Sequence, residues 1–131
     1  MSKAIANLLY SKEHEWVLQL DGNRVRIGIS DYAQKQLGDI VFVENPEVDD
    51  DVTANESMGT IESVKTASEI YSPVSGTVVR VNEELDDAPE MINEQPYEAG
   101  WLVEVEISNS EELDALLNEN QYETFVNKGE E

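Results

Sequence analysis

Cysteine is absent from the 131 residues. Disulfides, thiol nucleophiles and cysteine-ligated metals are thereby excluded. Histidine occurs once, as His14, so a multi-histidine metal centre cannot be built. Cations are scarce: eight Lys and Arg stand against 29 Asp and Glu, for a net charge of −21. Such a surface repels nucleic acid and anionic membranes, and neither is expected as a partner. No apolar run approaches the length of a membrane span, and Met1 to Tyr10 lacks the features of a signal or transit peptide. The expectation is a cytoplasmic chain, with a trimmed mitochondrial matrix protein as the lesser alternative. Glycines are few and scattered, so no phosphate-cradling loop is present. No Gly-x-Ser-x-Gly elbow occurs, and His14 lies between Glu13 and Glu15 rather than beside a nucleophile. Asp49-Asp50-Asp51 suggests calcium, but the position where an EF-hand needs Gly holds Ala54 or Glu56, counting from Asp49 or Asp51. These exclusions argue against an enzyme and against a metal centre.

What is present is enough apolar residue, 40%, for one globular domain over 1–131. The spacing predicts a mainly β chain of short strands with frequent turns, as in a small sandwich or barrel. Trp16, Leu18 and Leu20 alternate with Glu15, Val17 and Gln19, which predicts a strand whose apolar face carries the tryptophan. Asp21-Gly22-Asn23 is a turn, and Val25, Ile27 and Ile29 form the returning strand with Arg24 and Arg26 outside. Ser30-Asp31 and Gly38 bracket one short internal helix over 31–37. Ile40 to Val43 is apolar on both faces, which predicts a strand buried between layers. Two strand-like stretches at 56–64 and 67–72 form a hairpin over about 56–72, and Thr77 to Val81 is a further strand. Residues 82–98 carry seven acids, no cation and two prolines, as a loop or broken helical turns do. A last strand runs from Trp101, with Val103, Val105 and Ile107 on one face. Ser108-x-x-Glu111 reads as a capping box opening C-terminal helices over about 109–127. Trp16 and Trp101 are expected in the core, and His14 in a structural or surface role.

One cation draws notice. Between Gln36 and Asn127 the only basic residues are Lys65 and Arg80, and Lys65 falls between the two stretches of the predicted hairpin. A lysine at a hairpin tip projects its amine into solvent, open to acylation by an enzyme. A surface lysine paired with Glu62 or Glu69 accounts for the same spacing and is the commoner case.

The run Ile61-Glu62-Ser63-Val64-Lys65-Thr66-Ala67-Ser68-Glu69-Ile70-Tyr71-Ser72-Pro73-Val74-Ser75-Gly76 resembles the lipoyl-attachment hairpin of the glycine cleavage system H proteins. Tyr10 to Trp16, Gly28 to Gln34 and Leu37 to Val43 are similar to that family's opening motif, first helix and following strand. Val81-Asn82, Pro89, Ile92-Asn93, Pro96-Tyr97 and Gly100-Trp101 resemble its second half. Several motifs in one order over nearly the whole chain are far more specific than a lone hairpin. One departure is Asp49 in a loop where the family often has Gly, which matters if the loop needs positive φ.

The resemblance implies a barrel-sandwich hybrid of two small antiparallel sheets. It implies a non-catalytic carrier of bacterial cytoplasmic type, with lipoate joined by an amide to Lys65. It implies as partners a pyridoxal-phosphate glycine decarboxylase, a tetrahydrofolate-dependent aminomethyltransferase, the FAD enzyme dihydrolipoamide dehydrogenase, and lipoylating enzymes. Glu62 and Gly76 match positions that present the lysine turn in related lipoyl domains, and Glu15 and Glu69 match acids lining the cleft that receives the arm. An H-like relay delivering lipoate to other enzymes would show the same hairpin. A biotinyl domain would usually have Met beside its lysine, where this chain has Val64 and Thr66.

Overall fold

A computed structural model describes residues 8–20 and 22–129. Met1 to Asn7 and Asp21, the first residue of the predicted turn, lie outside the described residues. Nine strands form two antiparallel sheets among the described residues. The larger has six strands: β1 (Leu9–Tyr10), β2 (Glu15–Gln19), β3 (Arg24–Ile29), β9 (Val103–Ile107), β8 (Gly76–Val81) and β5 (Asp51–Val52), in that spatial order. The smaller runs β4 (Ile40–Glu44), β6 (Ser57–Ser63), β7 (Ala67–Tyr71). The chain is a barrel-sandwich hybrid, as expected. Among the described residues no helix is long and apolar enough to cross a membrane.

The core lies between the sheets. Val25, Ile27, Val78, Val103 and Val105 of the large sheet meet Val43, Ile61 and Ile70 of the small one. Each such side chain contributes about 1.5–3 kcal/mol by leaving water. A second cluster, Leu8, Tyr10, Trp16 and Tyr122, forms on the far side of β2, under α4 (Glu119–Gly129). Here the sequence expectation is corrected. Val17, placed on the face opposite the tryptophan, belongs to the main core, while Trp16 packs in the satellite cluster. Both faces of β2 are covered, and Glu15 is buried as well. Period-two patterning cannot rank two faces when each has a cover.

Three further expectations fail. The β4 segment is not buried on both faces: Val41 and Phe42 are 52% and 50% exposed. β4 is an edge strand, and a register shift between Ile40 and Phe42 turns these side chains outward. Ser108 does not open a capping box. Its hydroxyl donates to the Ser75 carbonyl at 3.3 Å, and Asn109 caps a 3₁₀ helix (Ser110–Ala115) by accepting from the Glu111 N–H. Trp101, expected in the core and at the start of the last strand, is half-buried and precedes β9.

Other local signals hold. Ser30 caps α1 (Asp31–Leu37) by accepting from the Ala33 N–H, and Gly38 ends it at φ +83°. The acidic stretch forms two single-turn helices, α2 (Glu84–Asp87) and α3 (Met91–Glu94). Asp49 adopts φ +80°, so the loop does use the left-handed region that favours glycine.

Candidate functional site

The β6–β7 hairpin turns at Ser63-Val64-Lys65-Thr66. The Ser63 N–H donates to the Thr66 carbonyl at 2.8 Å. The Ser63 hydroxyl oxygen accepts from the Lys65 and Thr66 N–H groups at 3.1 and 3.2 Å. A serine oxygen bonded to the backbone two and three residues on fixes a turn locally. Lys65 is exposed at the tip and forms no ion pair among the described residues. The spacing-based pairing with Glu62 or Glu69 is not observed.

The tip is also braced from outside the hairpin. The Val64 N–H donates to the Asp39 carbonyl at 3.0 Å. A Cβ placed on Gly38 would lie 3.5 Å from Lys65 Cδ and 3.7 Å from Cε, so the lysine stem rests over the backbone corner at Gly38. That corner is bound by Asn93, from α3. Asn93 Nδ2 donates to the Gly38 carbonyl and to Gln34 Oε1, both at 2.9 Å, and Asn93 Oδ1 accepts from the Ile40 N–H at 2.8 Å. Sequence reasoning gave Asn93 no role, because its partners are more than fifty residues away.

Beside the hairpin lies a cleft of about 350 Å³ between α1, β7 and the segment before β2. Leu37, Ile61 and Ile70 give it apolar walls, and Glu13, Glu15 and Glu69 line it with carboxyl groups. Glu15 and Glu69, matched from the resemblance, are thus brought into one cleft, but they differ sharply. Glu69 is exposed on β7. Glu15 is 3% exposed, and burial pushes its carboxyl up to about 8. Ser11 Oγ donates to Glu15 Oε1 at 2.6 Å, and the Tyr71 N–H donates to Glu15 Oε2 at 3.2 Å. His14 lines the same cleft at φ +72°, with Nδ1 2.8 Å from the Tyr122 hydroxyl. Burial lowers its pKa, which keeps the ring neutral near pH 7.

Glu62 is exposed on β6, one residue before the tip segment and opposite Ala67. Gly76 is elsewhere. It belongs to the large sheet, between Val52 and Ile107, and a side chain there would collide with the Glu106 carbonyl oxygen. The geometry requires a glycine for close strand approach and does not bring Gly76 to the lysine turn.

The residues fit an acyl arm on the lysine. The amine is exposed and unpaired among the described residues, its turn is fixed, and the adjacent cleft offers apolar walls and carboxyl groups. A barrel-sandwich hybrid that presents one exposed side chain on a braced turn has the architecture of a carrier domain. The comparisons specify which. The profile of a family described as "Glycine cleavage H-protein" matches residues 8–129. Proteins named "Glycine cleavage system H protein" from Geobacillus thermodenitrificans and Staphylococcus haemolyticus are each 57% identical, over 122 and 121 residues. The matches cover 93% and 92% of this chain and 95% of each relative. A crystal structure of a glycine cleavage system H protein from Mycobacterium marinum superposes with a TM-score of 0.84 at 38% identity, covering 92% of this chain and 97% of that one. This chain belongs to the glycine cleavage H-protein family. It is a lipoyl carrier subunit of the glycine cleavage system and not a catalyst.

Proposed function

We propose that Lys65 is the lipoyl attachment site, and that the chain ferries the aminomethyl group of glycine from the pyridoxal-phosphate decarboxylase to the tetrahydrofolate-dependent aminomethyltransferase. The observation that carries this reading is the exposed Lys65 amine, unpaired among the described residues, on a braced turn beside a cleft with both apolar and carboxyl walls. Lipoate, when attached, supplies the dithiolane sulfur chemistry that this cysteine-free chain lacks, and dihydrolipoamide dehydrogenase with its FAD reoxidises it. Ser63 and Asp39 hold the turn so that lipoylating enzymes meet the lysine in one geometry, with Glu62 exposed at its edge. Tethering keeps the arm at high effective concentration near each partner's active site.

Glu15 and Glu69 supply the cleft's response to a cationic amine. Without a cation nearby, Glu15 holds its proton on a buried carboxyl. A cationic amine in the cleft favours the carboxylate, so Glu15 would release that proton and accept a charge-assisted hydrogen bond. Bonds of this kind are worth about 1.5–3 kcal/mol when sheltered. The bacterial relatives support a cytoplasmic location. The direct test is the intact mass of protein isolated from its native cells, beside Lys65→Arg. The variant should fold as the parent does and gain no lipoyl mass. Lipoyl mass on another lysine of that variant would refute the assignment.

A further inference from the structure

The chain has three arginines, Arg24, Arg26 and Arg80, and all three line one groove of about 530 Å³ on the outer face of the large sheet. In a chain of charge −21 this convergence is the exception to an otherwise acidic composition. The groove's charged lining is three arginines against Glu104 and Glu106, a local balance of +1. Arg26 Nε and Nη2 donate to Glu104 Oε2 at 3.0 and 2.8 Å, and Arg80 Nη1 donates to the same oxygen at 3.3 Å. Both guanidinium groups also sit over Trp101, at 5.0 and 5.1 Å from its ring centroid. The buried carboxylate and the indole therefore hold two guanidinium groups in place. Each guanidinium has five N–H donors, so most of this donor capacity is unspent. Arg24 forms no ion pair among the described residues.

We propose that this groove is a second docking point, which receives a carboxylate-bearing segment of an enzyme the carrier visits. The proposal rests on the carrier reading above. The planar guanidinium fork matches a carboxylate in two-point geometry, and ordering it beforehand lowers the cost of binding. The occupant is a protein carboxylate rather than a free anion. The field of 29 acids repels small anions from the whole surface, and a local +1 is too weak to gather them. A carboxylate on a partner is delivered by that partner's own basic surface, which the acidic carrier attracts. The groove also solves a geometric problem. A predominantly acidic surface meets a basic patch in many orientations, and a cluster of guanidinium groups selects among them. Arg24 begins β3 and the cleft-lining Ile29 ends it, a separation of about 17 Å along the strand, so the groove and the cleft are distinct contact points.

The test compares two variants of equal charge, −23, both as fully lipoylated carriers. Arg24→Gln with Arg80→Gln empties the groove of two cations and leaves Arg26 to hold Glu104. Lys12→Glu makes the same change at an exposed site outside it. Apparent KM and kcat are measured with purified decarboxylase, aminomethyltransferase and dehydrogenase. The groove variant should raise KM at least fivefold with one of these enzymes at unchanged kcat, with Lys12→Glu staying within twofold. Equal effects of the two variants, or no effect with any of the three, overturn the proposal. Should the double variant lose folding, Arg24→Gln alone, which leaves the Glu104 network whole, decides with a threshold of twofold. The lipoyl mass of each variant is checked first, so failure of the carrier reading shows before any docking is measured.

Discussion

Asn93→Ala should slow lipoylation of a lysine that Asn93 does not touch. The side chain satisfies the Ile40 N–H and the Gly38 carbonyl, and it ties both to Gln34. Ile40 is buried, and a buried donor left unpaired costs about 1–3 kcal/mol. With the lost Gly38 contact, a total near 2 kcal/mol follows, and a fall in Tm on the order of 5–10 °C for a domain of this size. That alone would be a stability effect. The specific consequence is at the tip, where Val64 N–H is held by the Asp39 carbonyl between Gly38 and Ile40. Releasing that corner should speed amide exchange at Val64 and cut lipoylation kcat/KM severalfold, well below the Tm. Ile107→Ala in β9 is the control, since a core truncation costs about 2 kcal/mol or more, and the backbone partners of Ile107 are Gly76 and Asn23, not the corner residues. Asn93→Asp keeps the acceptor for Ile40 but turns an oxygen toward the Gly38 carbonyl, so it should fall between parent and Asn93→Ala. Unchanged lipoylation in Asn93→Ala, or an equal loss in Ile107→Ala, would refute the reasoning.

The remaining expectations concern charge and close packing. Glu15 holds its proton up to about pH 8 in the fold, against 4.5 for an ordinary glutamate. A raised folded value means the favourable burial is complete below about pH 4.5 and is lost as pH climbs towards 8. Tm should therefore decline across pH 5–8, and Glu15→Gln should flatten that decline; an unchanged slope would show that another group titrates. The apparent KM of the decarboxylase for the lipoylated carrier should climb with added salt, because screening weakens attraction between the acidic carrier and basic patches. A flat response, with the decarboxylase itself unaffected by salt, would point to apolar docking. Gly76→Ala should lower Tm markedly through the collision with the Glu106 carbonyl. The fraction that stays folded should still be lipoylated at the parental rate, whereas a selective loss of lipoylation would restore Gly76 to the turn.

Much of the fold was legible because its signals are local. The Ser30 cap, the Gly38 stop and the β6–β7 hairpin each depend on residues within one turn of the chain. The place of Lys65 at an exposed hairpin turn was legible too, as a cation set between two strand-like stretches. What escaped depended on distant covers. Glu15 reads as an exposed acid in Glu13-His14-Glu15, yet it is buried, its carboxyl held between the Ser11 hydroxyl and the Tyr71 N–H of the hairpin. Val41 and Phe42 read as core because nothing local marks β4 as an edge strand. Asn93 sits in an acidic stretch whose helices last one turn, and its three bonds reach residues 34, 38 and 40.

These misses share a physical cause that bears on function. An isolated two-stranded hairpin is marginally stable in water, so one whose tip is held in a fixed geometry needs anchors beyond itself. The structure supplies them at both ends. At the tip, Asp39 holds Val64 under the control of Asn93. At the base, the Glu56 backbone carbonyl accepts from the Ser72 N–H, and the Glu15 carboxyl accepts from the Tyr71 N–H on the open edge of β7. Glu15 therefore serves two surfaces at once: one oxygen is tied to the hairpin while the carboxyl lines the cleft. A cation that draws the proton from Glu15 also strengthens the acceptor holding Tyr71, since a carboxylate accepts more strongly than a neutral acid. Occupying the cleft should thus tighten the base of the hairpin that carries the lysine. Amide exchange at Tyr71 should slow as pH rises through 8 in the parent and stay level in Glu15→Gln, once the intrinsic pH dependence of exchange is removed. Equal behaviour of the two proteins would show that the hairpin base does not sense the charge on Glu15.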